Sequence, residues 1–103
     1  MILQKIAGFD WDVGNLQKCQ KHGVSIPEIE ALFHGNFLSF PDSEHSESED
    51  RIISIGKSLK NRWIFVVWTL RMKSSKNFIR PISARFMHRK EVENYEKIAN
   101  TKK

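Results

Sequence analysis

Residues 62–71, RWIFVVWTLR, decide the fold class of this chain. Read with a period of two, Ile64, Val66 and Trp68 alternate with Phe65 and Val67, so both faces of the segment are apolar. A strand with one wet face would alternate with polar residues, so this pattern is typical of a central strand that is covered on both sides. The segment therefore predicts a β-sheet built around it.

Further strand patterns lie on both sides of this segment. They are NFLSFP at 36–41, RIISIG at 51–56 and the run at 78–86, with MKSSKN at 72–77 making the turn before the last of them. FDWD, at 9–12, is either a short strand or an extended lead-in. We expect a mainly antiparallel sheet of about four strands.

Helical spacing replaces strand spacing before residue 36. Asp12 is placed to cap a helix of about 13–22, which carries Val13, Leu16 and Cys19 three residues apart. The sequence KHG ends it, with Gly23 supplying the left-handed conformation.

A second helix follows almost at once. Ser25 and Glu28 have the spacing of a capping box, and Gly35 stops the helix after an apolar stripe. The connection is so short that we expect the two helices to pack as a hairpin. A last helix is predicted at about 88–99.

Together these elements predict an α+β fold in one domain: a helical hairpin, a sheet and a C-terminal helix. The 103 residues are too few for two domains. We expect an acidic loop at about 42–50 and a disordered tail at about 100–103.

Composition excludes several classes of protein. A single cysteine, Cys19, cannot form an internal disulfide, and neither a signal peptide nor an apolar run long enough for a membrane span is present. We therefore expect a soluble, cytoplasmic protein that does not associate with a membrane. Paired-cysteine, HExxH, glycine-rich phosphate-loop and nucleophile-elbow motifs are absent, so no metal site and no cofactor are predicted.

Charge is distributed unevenly along the chain. Residues 42–50 hold five acidic and no basic residues, whereas residues 51–103 hold 14 Lys or Arg and three acidic residues. A half that basic indicates a polyanion or an acidic protein as partner, although a solvated basic surface has the same composition.

Several separate blocks of the sequence follow one another over about residues 9–96. The blocks are FDWDVGN at 9–15, KHGVS at 21–25, EIEALF at 28–33, Arg51 with Gly56, WIFVVWTLR at 63–71, IRPISAR at 79–85 and MHRKE with Tyr95 at 87–95. In this order they resemble one known family, the BrnT toxins of bacterial type II toxin–antitoxin systems.

The resemblance implies a RelE-like fold and an endoribonuclease that inhibits translation by cutting mRNA or ribosome-associated RNA. It also implies a BrnA-like antitoxin, a hetero-oligomer with that antitoxin, and contact with operator DNA only through it.

A metal-independent ribonuclease needs a group that stabilises the charged phosphate and groups that move protons. Arginine suits the first task and histidine the second. Our candidates for catalysis are Arg80, Arg85, His88, His22 and Tyr95. Our candidates for RNA binding are Arg51, Arg71, Arg89 and Lys90.

The orientation of two of these arginines depends on one proline. In a regular strand Arg80 and Arg85 face opposite sides of the sheet. Pro81 lacks a backbone N–H and favours an edge strand or a bulge, and a bulge would bring both arginines to one side.

Each candidate also has a structural interpretation. Arg80 and Arg85 would form ion pairs with Glu91, Glu93 or an acid of the helical hairpin, and Arg51 would pair with the acidic loop. His88 would be an exposed residue of a first helical turn, His22 part of a helix end, and Tyr95 part of the core. Trp11, Trp63 and Trp68 are core or interface residues in this interpretation, rather than platforms for bases.

Two functions remain open: an endoribonuclease toxin, or a non-catalytic basic module that acts through an antitoxin and operator complex or by binding nucleic acid.

Overall fold

The computed structural model of the chain describes residues 6–45 and 49–101. Its elements, in chain order, are β1 (Ile6–Phe9), α1 (Val13–Gln20), α2 (Ile26–His34), β2 (Phe37–Pro41), a 3₁₀ turn (Ser43–His45), β3 (Arg51–Lys57), β4 (Trp63–Lys73), β5 (Lys76–Phe86) and α3 (Arg89–Thr101). The α+β class is therefore confirmed. Among these described residues, no helix is long and apolar enough to cross a membrane.

The strands form one mixed sheet in the order β1-β5-β4-β3-β2. The segment at 62–71 supplies the central strand, as predicted. The expected four strands become five, because residues 6–9 pair in parallel with β5 while the rest of the sheet is antiparallel. Residues 10–12, predicted as part of an extended lead-in, connect β1 to α1. Pairing between strands this distant in sequence leaves no local signal.

Helices α1 and α2 cover one face of the sheet, and the core lies between these helices and the sheet. It contains the buried side chains of Cys19, Val24, Ile29, Leu32, Phe33, Ile64, Val66, Trp68, Ile79 and Ala84. Gly56 on this face allows a close approach of the backbone, since a Cβ there would lie 3.1 Å from the Asn36 carbonyl oxygen.

The other face, called here the open face, carries side chains in rows across the strands. One row holds Leu38, Ile55, Phe65 and Arg85, the next Phe40, Ile53, Val67 and Ser83, and a third Arg51, Thr69 and Arg80. Phe65 and Val67 are only half-buried. The prediction that β4 is covered on both sides was therefore wrong: α3 meets only one end of this face, where Tyr95 contacts Trp63.

The two N-terminal helices do not pack mainly as a hairpin. Helix α1 lies chiefly along β5 instead, with its buried side chains, Asn15 and Cys19, turned inward. Val13, expected on the buried stripe, is 71% exposed. Cys19 is buried and Leu16 is half-buried, so these two residues of the predicted stripe are confirmed and Val13 is not. The apolar spacing also gave no sign of Asn15, whose Nδ2 donates to the Pro81 carbonyl at 2.8 Å.

The helix ends follow the sequence signals closely. Asp12 and Ser25 both form capping boxes, and Gly23 has a φ of +92°. Helix α3 (Arg89–Thr101) includes residues 100 and 101 of the tail that the sequence predicts to be disordered; residues 102 and 103 of that tail lie outside the described residues.

A bulge in β5 determines which way the arginines face. Val67 is opposite Ser83 and Trp68 is opposite Pro81, so Ile82 has no counterpart on β4. Arg85 therefore pairs with Phe65 and Arg80 with Thr69, four residues further along the same strand. Since residues four apart in a strand point the same way, both arginines lie on the open face.

A hydroxyl pair in the core provides a stability test. Trp68 Nε1 donates to Ser54 Oγ at 2.7 Å, and the hydroxyls of Ser39 and Ser54 are 2.7 Å apart. Ser54→Ala leaves a buried indole N–H without an acceptor, so we expect it to lower the free energy of unfolding by about 1–3 kcal/mol in urea denaturation. Ser39→Ala keeps that acceptor and should cost less than about 1 kcal/mol. Equal losses would contradict this assignment.

Candidate nucleic-acid interface

The open face combines an apolar floor with cations at both ends of β4. The Arg85 row and the row of Arg51 and Arg80 lie four residues apart on β4, which corresponds to about 13 Å. Two shallow depressions of about 460 Å³ and about 390 Å³ lie on this surface. Lys18 of α1 and Arg51 line both of them.

Arg85 is held by an aromatic ring and a carboxylate. Its guanidinium lies 4.3 Å from the centroid of the Phe65 ring, and its two terminal nitrogens each donate to a Glu91 carboxylate oxygen at 2.8 Å. Glu91 Oε1 also accepts from the backbone N–H of His88 at 2.8 Å, which fixes the start of α3. The hydrogen bonds from Arg85, followed by that from His88, lower the pKa of Glu91 from 4.5 to about 2.

Arg80 lies in a second cluster, near the start of α1. It donates to Asp12 at 2.8 Å and to Asp10 at 3.4 Å, and Lys73 donates to Asp10 at 2.8 Å. The Lys73 hydrogen bond is the main cause of the lowered pKa of Asp10, whereas the backbone N–H of Asn15 is the main cause for Asp12. Both carboxylates therefore stay ionised, and Asp12 caps α1 at the same time.

Arg51 and Arg71 lie beside the acidic loop. A Glu49 carboxylate oxygen is 3.8 Å from Arg51 Nε and the other is 3.5 Å from Arg71 Nη2. Asp42 and Glu44, from the other end of the loop, line the larger depression together with Arg51. The acidic loop thus borders the basic surface on the side of β3. Residues 46–48 of this loop lie outside the described residues.

The structure brings some of the candidate residues together and separates others. His88 lies next to the Arg85–Glu91 pair, and Tyr95 contacts Trp63 at a ring distance of 4.7 Å. Burial raises the pKa of the Tyr95 hydroxyl, which therefore stays protonated. His22 is exposed in the turn after α1, and the neighbouring Gly23 lies against the ring of Phe86, on the helix-covered face. This contact puts the turn that carries His22 on the side of the sheet opposite Arg80 and Arg85.

The two predicted basic residues of α3 are exposed. Arg89 interacts with Glu93 at 3.4 Å, and Lys90 follows it in the first turn of the helix. Neither lies within the rows of the open face, which are built from β2 to β5.

Several residues of the site were not predicted from the sequence. Asn15, Lys18 and Phe65 were not candidates, although Asn15 belongs to the FDWDVGN block. Glu91 carried a signal, because it follows His88 at the three-residue spacing of a helix cap. Within residues 6–45 and 49–101, no group of three or more His, Cys, Asp or Glu side chains is arranged to hold a metal ion.

The Arg85–Glu91 pair predicts how stability depends on pH. Because the pKa of Glu91 falls from 4.5 to about 2 on folding, its contribution is complete above pH 4.5 and is lost as the pH falls towards 2. Both side chains are about one-third exposed, at 33% and 35%. We therefore expect Glu91→Gln to cost only about 1 kcal/mol at pH 7, and the difference from wild type to vanish near pH 2 in thermal unfolding.

A matched control for this change is Glu93→Gln. Glu93 contacts Arg89, which is 93% exposed, so its loss should change the free energy of unfolding by less than about 0.5 kcal/mol at any pH. If Glu91→Gln kept a constant deficit down to pH 2, the ion pair would not be its cause.

The sequence was also compared with known proteins and protein families. A comparison with curated proteins finds no match. One family model, described as "Ribonuclease toxin, BrnT, of type II toxin-antitoxin system", matches residues 11–91. That match spans the chain from the start of α1 to the Glu91 carboxylate that holds Arg85. The chain belongs to the BrnT family of ribonuclease toxins of type II toxin–antitoxin systems.

Proposed function

We propose that this chain is a metal-independent endoribonuclease toxin that cuts RNA on its open face. The single observation that carries the proposal is the bulge at Ile82, which places Arg80 and Arg85 on the same exposed surface as Arg51. The ribonuclease description of the family supports the activity.

The spacing of the arginines assigns them to different phosphates. The Arg85 row is about 13 Å along β4 from the row of Arg51 and Arg80, too far for one phosphate to sit in both rows. An RNA strand that follows β4 meets Arg85 at one phosphate and the other arginines at another. We place the chemistry at Arg85, because His88, a residue suited to proton transfer, is bonded through its backbone N–H to the same Glu91 carboxylate that holds Arg85.

The roles of the residues follow from their protonation. Arg85 stabilises charge on the scissile phosphate, whose oxygens match the guanidinium geometry that Glu91 now occupies. Glu91 is a poor proton acceptor because its pKa is about 2, so His88 is the general base or acid. Tyr95, which stays protonated, donates hydrogen bonds. Arg51, Arg71, Arg80 and Lys18 bind flanking phosphates, with Arg89 and Lys90 beyond them.

We infer the cellular setting of this activity from the resemblance to the BrnT family. The toxin is RelE-like, acts in the cytoplasm on mRNA or ribosome-associated RNA, and inhibits translation. A BrnA-like antitoxin neutralises it within a hetero-oligomer and provides the contact with operator DNA. A partner that covers the open face would exclude RNA from all of its arginines at once.

A second function is favoured by the ion pairs themselves. Arg80 and Arg85 already contact carboxylates of this chain at 2.8 Å, as a purely structural role requires. In that case the chain is a non-catalytic basic module that acts through its antitoxin or binds nucleic acid without cutting it.

An RNA cleavage assay distinguishes the enzyme from the non-catalytic module. The purified, antitoxin-free chain is incubated with labelled total RNA in EDTA. We expect fragments with 2′,3′-cyclic phosphate ends, and a rate loss of about 100-fold or more in Arg85→Ala and in His88→Ala. Arg62→Ala is the matched control, because Arg62 stacks at 3.7 Å on Phe86, on the helix-covered face, so its rate should change less than about twofold.

Each variant is first checked for cooperative unfolding, so that loss of activity is not loss of fold. Absence of cleavage by the wild-type chain, with both free RNA and ribosomes, would refute the enzyme. Cleavage that survives both Arg85→Ala and His88→Ala would place the chemistry elsewhere.

A further inference from the structure

We propose that the depression where β4 begins, lined by Asn36, Phe37, Leu38, Lys57, Trp63 and Tyr95, is a nucleobase-binding subsite of the open face. It takes the base of the nucleotide next to the phosphate at Arg85. The inference rests on the proposed function, and it adds to that function the residues that bind one base of the RNA.

The position of the depression continues the rows of the open face. Lys57 is opposite Trp63, and Trp63 precedes Phe65 by two residues on β4. The Trp63 row therefore lies on the same face as the Arg85 row, about 7 Å from it. A nucleotide whose phosphate contacts Arg85 thus has its neighbouring base within reach of Trp63.

The size and lining of the depression suit one flat ring. Its volume is about 390 Å³, within the range of small-molecule sites. The Trp63 ring is half-buried and is braced by Tyr95, whose ring meets it at 4.7 Å with an interplanar angle of 62°. Aromatic rings held in this way bind bases of any identity, because every base has a π-face.

The polar groups around Trp63 match a nucleotide. Lys57 Nζ lies over the Trp63 ring, 5.4 Å from its centroid, in a cation–π contact; a base that stacks on this ring takes the place of the flexible ammonium, which then pairs with a phosphate. The Asn36 side-chain amide has both donors and an acceptor, as the edge of a base requires. A protein segment would fit an aromatic floor as well, but Lys57 and the adjoining arginines favour a polyanion.

Binding is tested with a short 2′-O-methyl RNA oligonucleotide, which binds but lacks the 2′-OH needed for cleavage. The readout is the NMR signal of each of the three tryptophan indole N–H groups. We expect the Trp63 signal to shift with saturation while the other two stay in place. They are internal controls, because Trp68 Nε1 is buried on Ser54 and Trp11 Nε1 is bonded to Glu30 at 2.9 Å.

Substitutions then test whether the site contributes to affinity. Tyr95→Ala and Lys57→Gln should each weaken oligonucleotide binding about 5-fold to 10-fold. Lys76→Gln, at the far end of β4 and β5, is the matched control for Lys57→Gln and should change affinity less than about twofold. Trp63→Phe keeps a stacking ring and should retain most of the binding. Asn36→Ala should reduce the difference in affinity between oligonucleotides of different base.

The outcomes separate this inference from the proposed function. If the oligonucleotide shifts the arginine side-chain N–H signals of Arg51, Arg80 and Arg85 but not that of Trp63, the subsite is refuted while RNA binding stands, and the aromatic floor belongs to a protein partner. Unchanged affinity in both Tyr95→Ala and Lys57→Gln would also refute it. If none of these signals shifts, RNA does not bind the open face, and both the subsite and the proposed function are refuted.

Discussion

The arrangement of this protein depends on one buried amide, that of Asn15. Its Nδ2 donates to the carbonyls of Asp10 and Pro81, and its Oδ1 accepts from the backbone N–H of Asp12. A buried side-chain amide with its donors satisfied in this way fixes the segments it joins. Here it ties the chain after β1, the cap of α1 and the bulge of β5 to one another. Arg80 meets Asp10 and Asp12 only because that arrangement holds.

On the open face, arginines are paired with carboxylates of the same chain. Arg85 contacts Glu91, Arg80 contacts Asp10 and Asp12, and Arg51 contacts Glu49. Partly exposed pairs such as those of Glu91 and Glu49 add little to stability, typically about 0–1 kcal/mol each, whereas Asp10 is buried. Their effect is geometric: they hold long, mobile side chains in place without burying them. A phosphate offers a guanidinium two oxygens in the same bidentate geometry as a carboxylate.

Features that depend on residues close in sequence were predicted correctly, whereas features that depend on distant residues were not. The apolar run at 62–71 and the caps at Asp12 and Ser25 are local signals, and they predicted the central strand and both helix starts correctly. The parallel pairing of β1 with β5, the inner face of α1 and the register at Ile82 depend on partners distant in sequence. Pro81 indicated a possible bulge, but only the structure shows that both arginines share a face. Lys18 gave no signal, since an exposed helical lysine is ordinary.

The parallel pair of β1 and β5 also has a consequence for the order of assembly. Asp10 and Arg80 are 70 residues apart in sequence, and among the described strands β1 pairs with β5 alone. Contacts of such long range form late, because the chain between them must be ordered first. During synthesis β5 is made after the other four strands, so the surface that carries Arg80 and Arg85 is completed only once β5 has been made and has paired with β1 and β4.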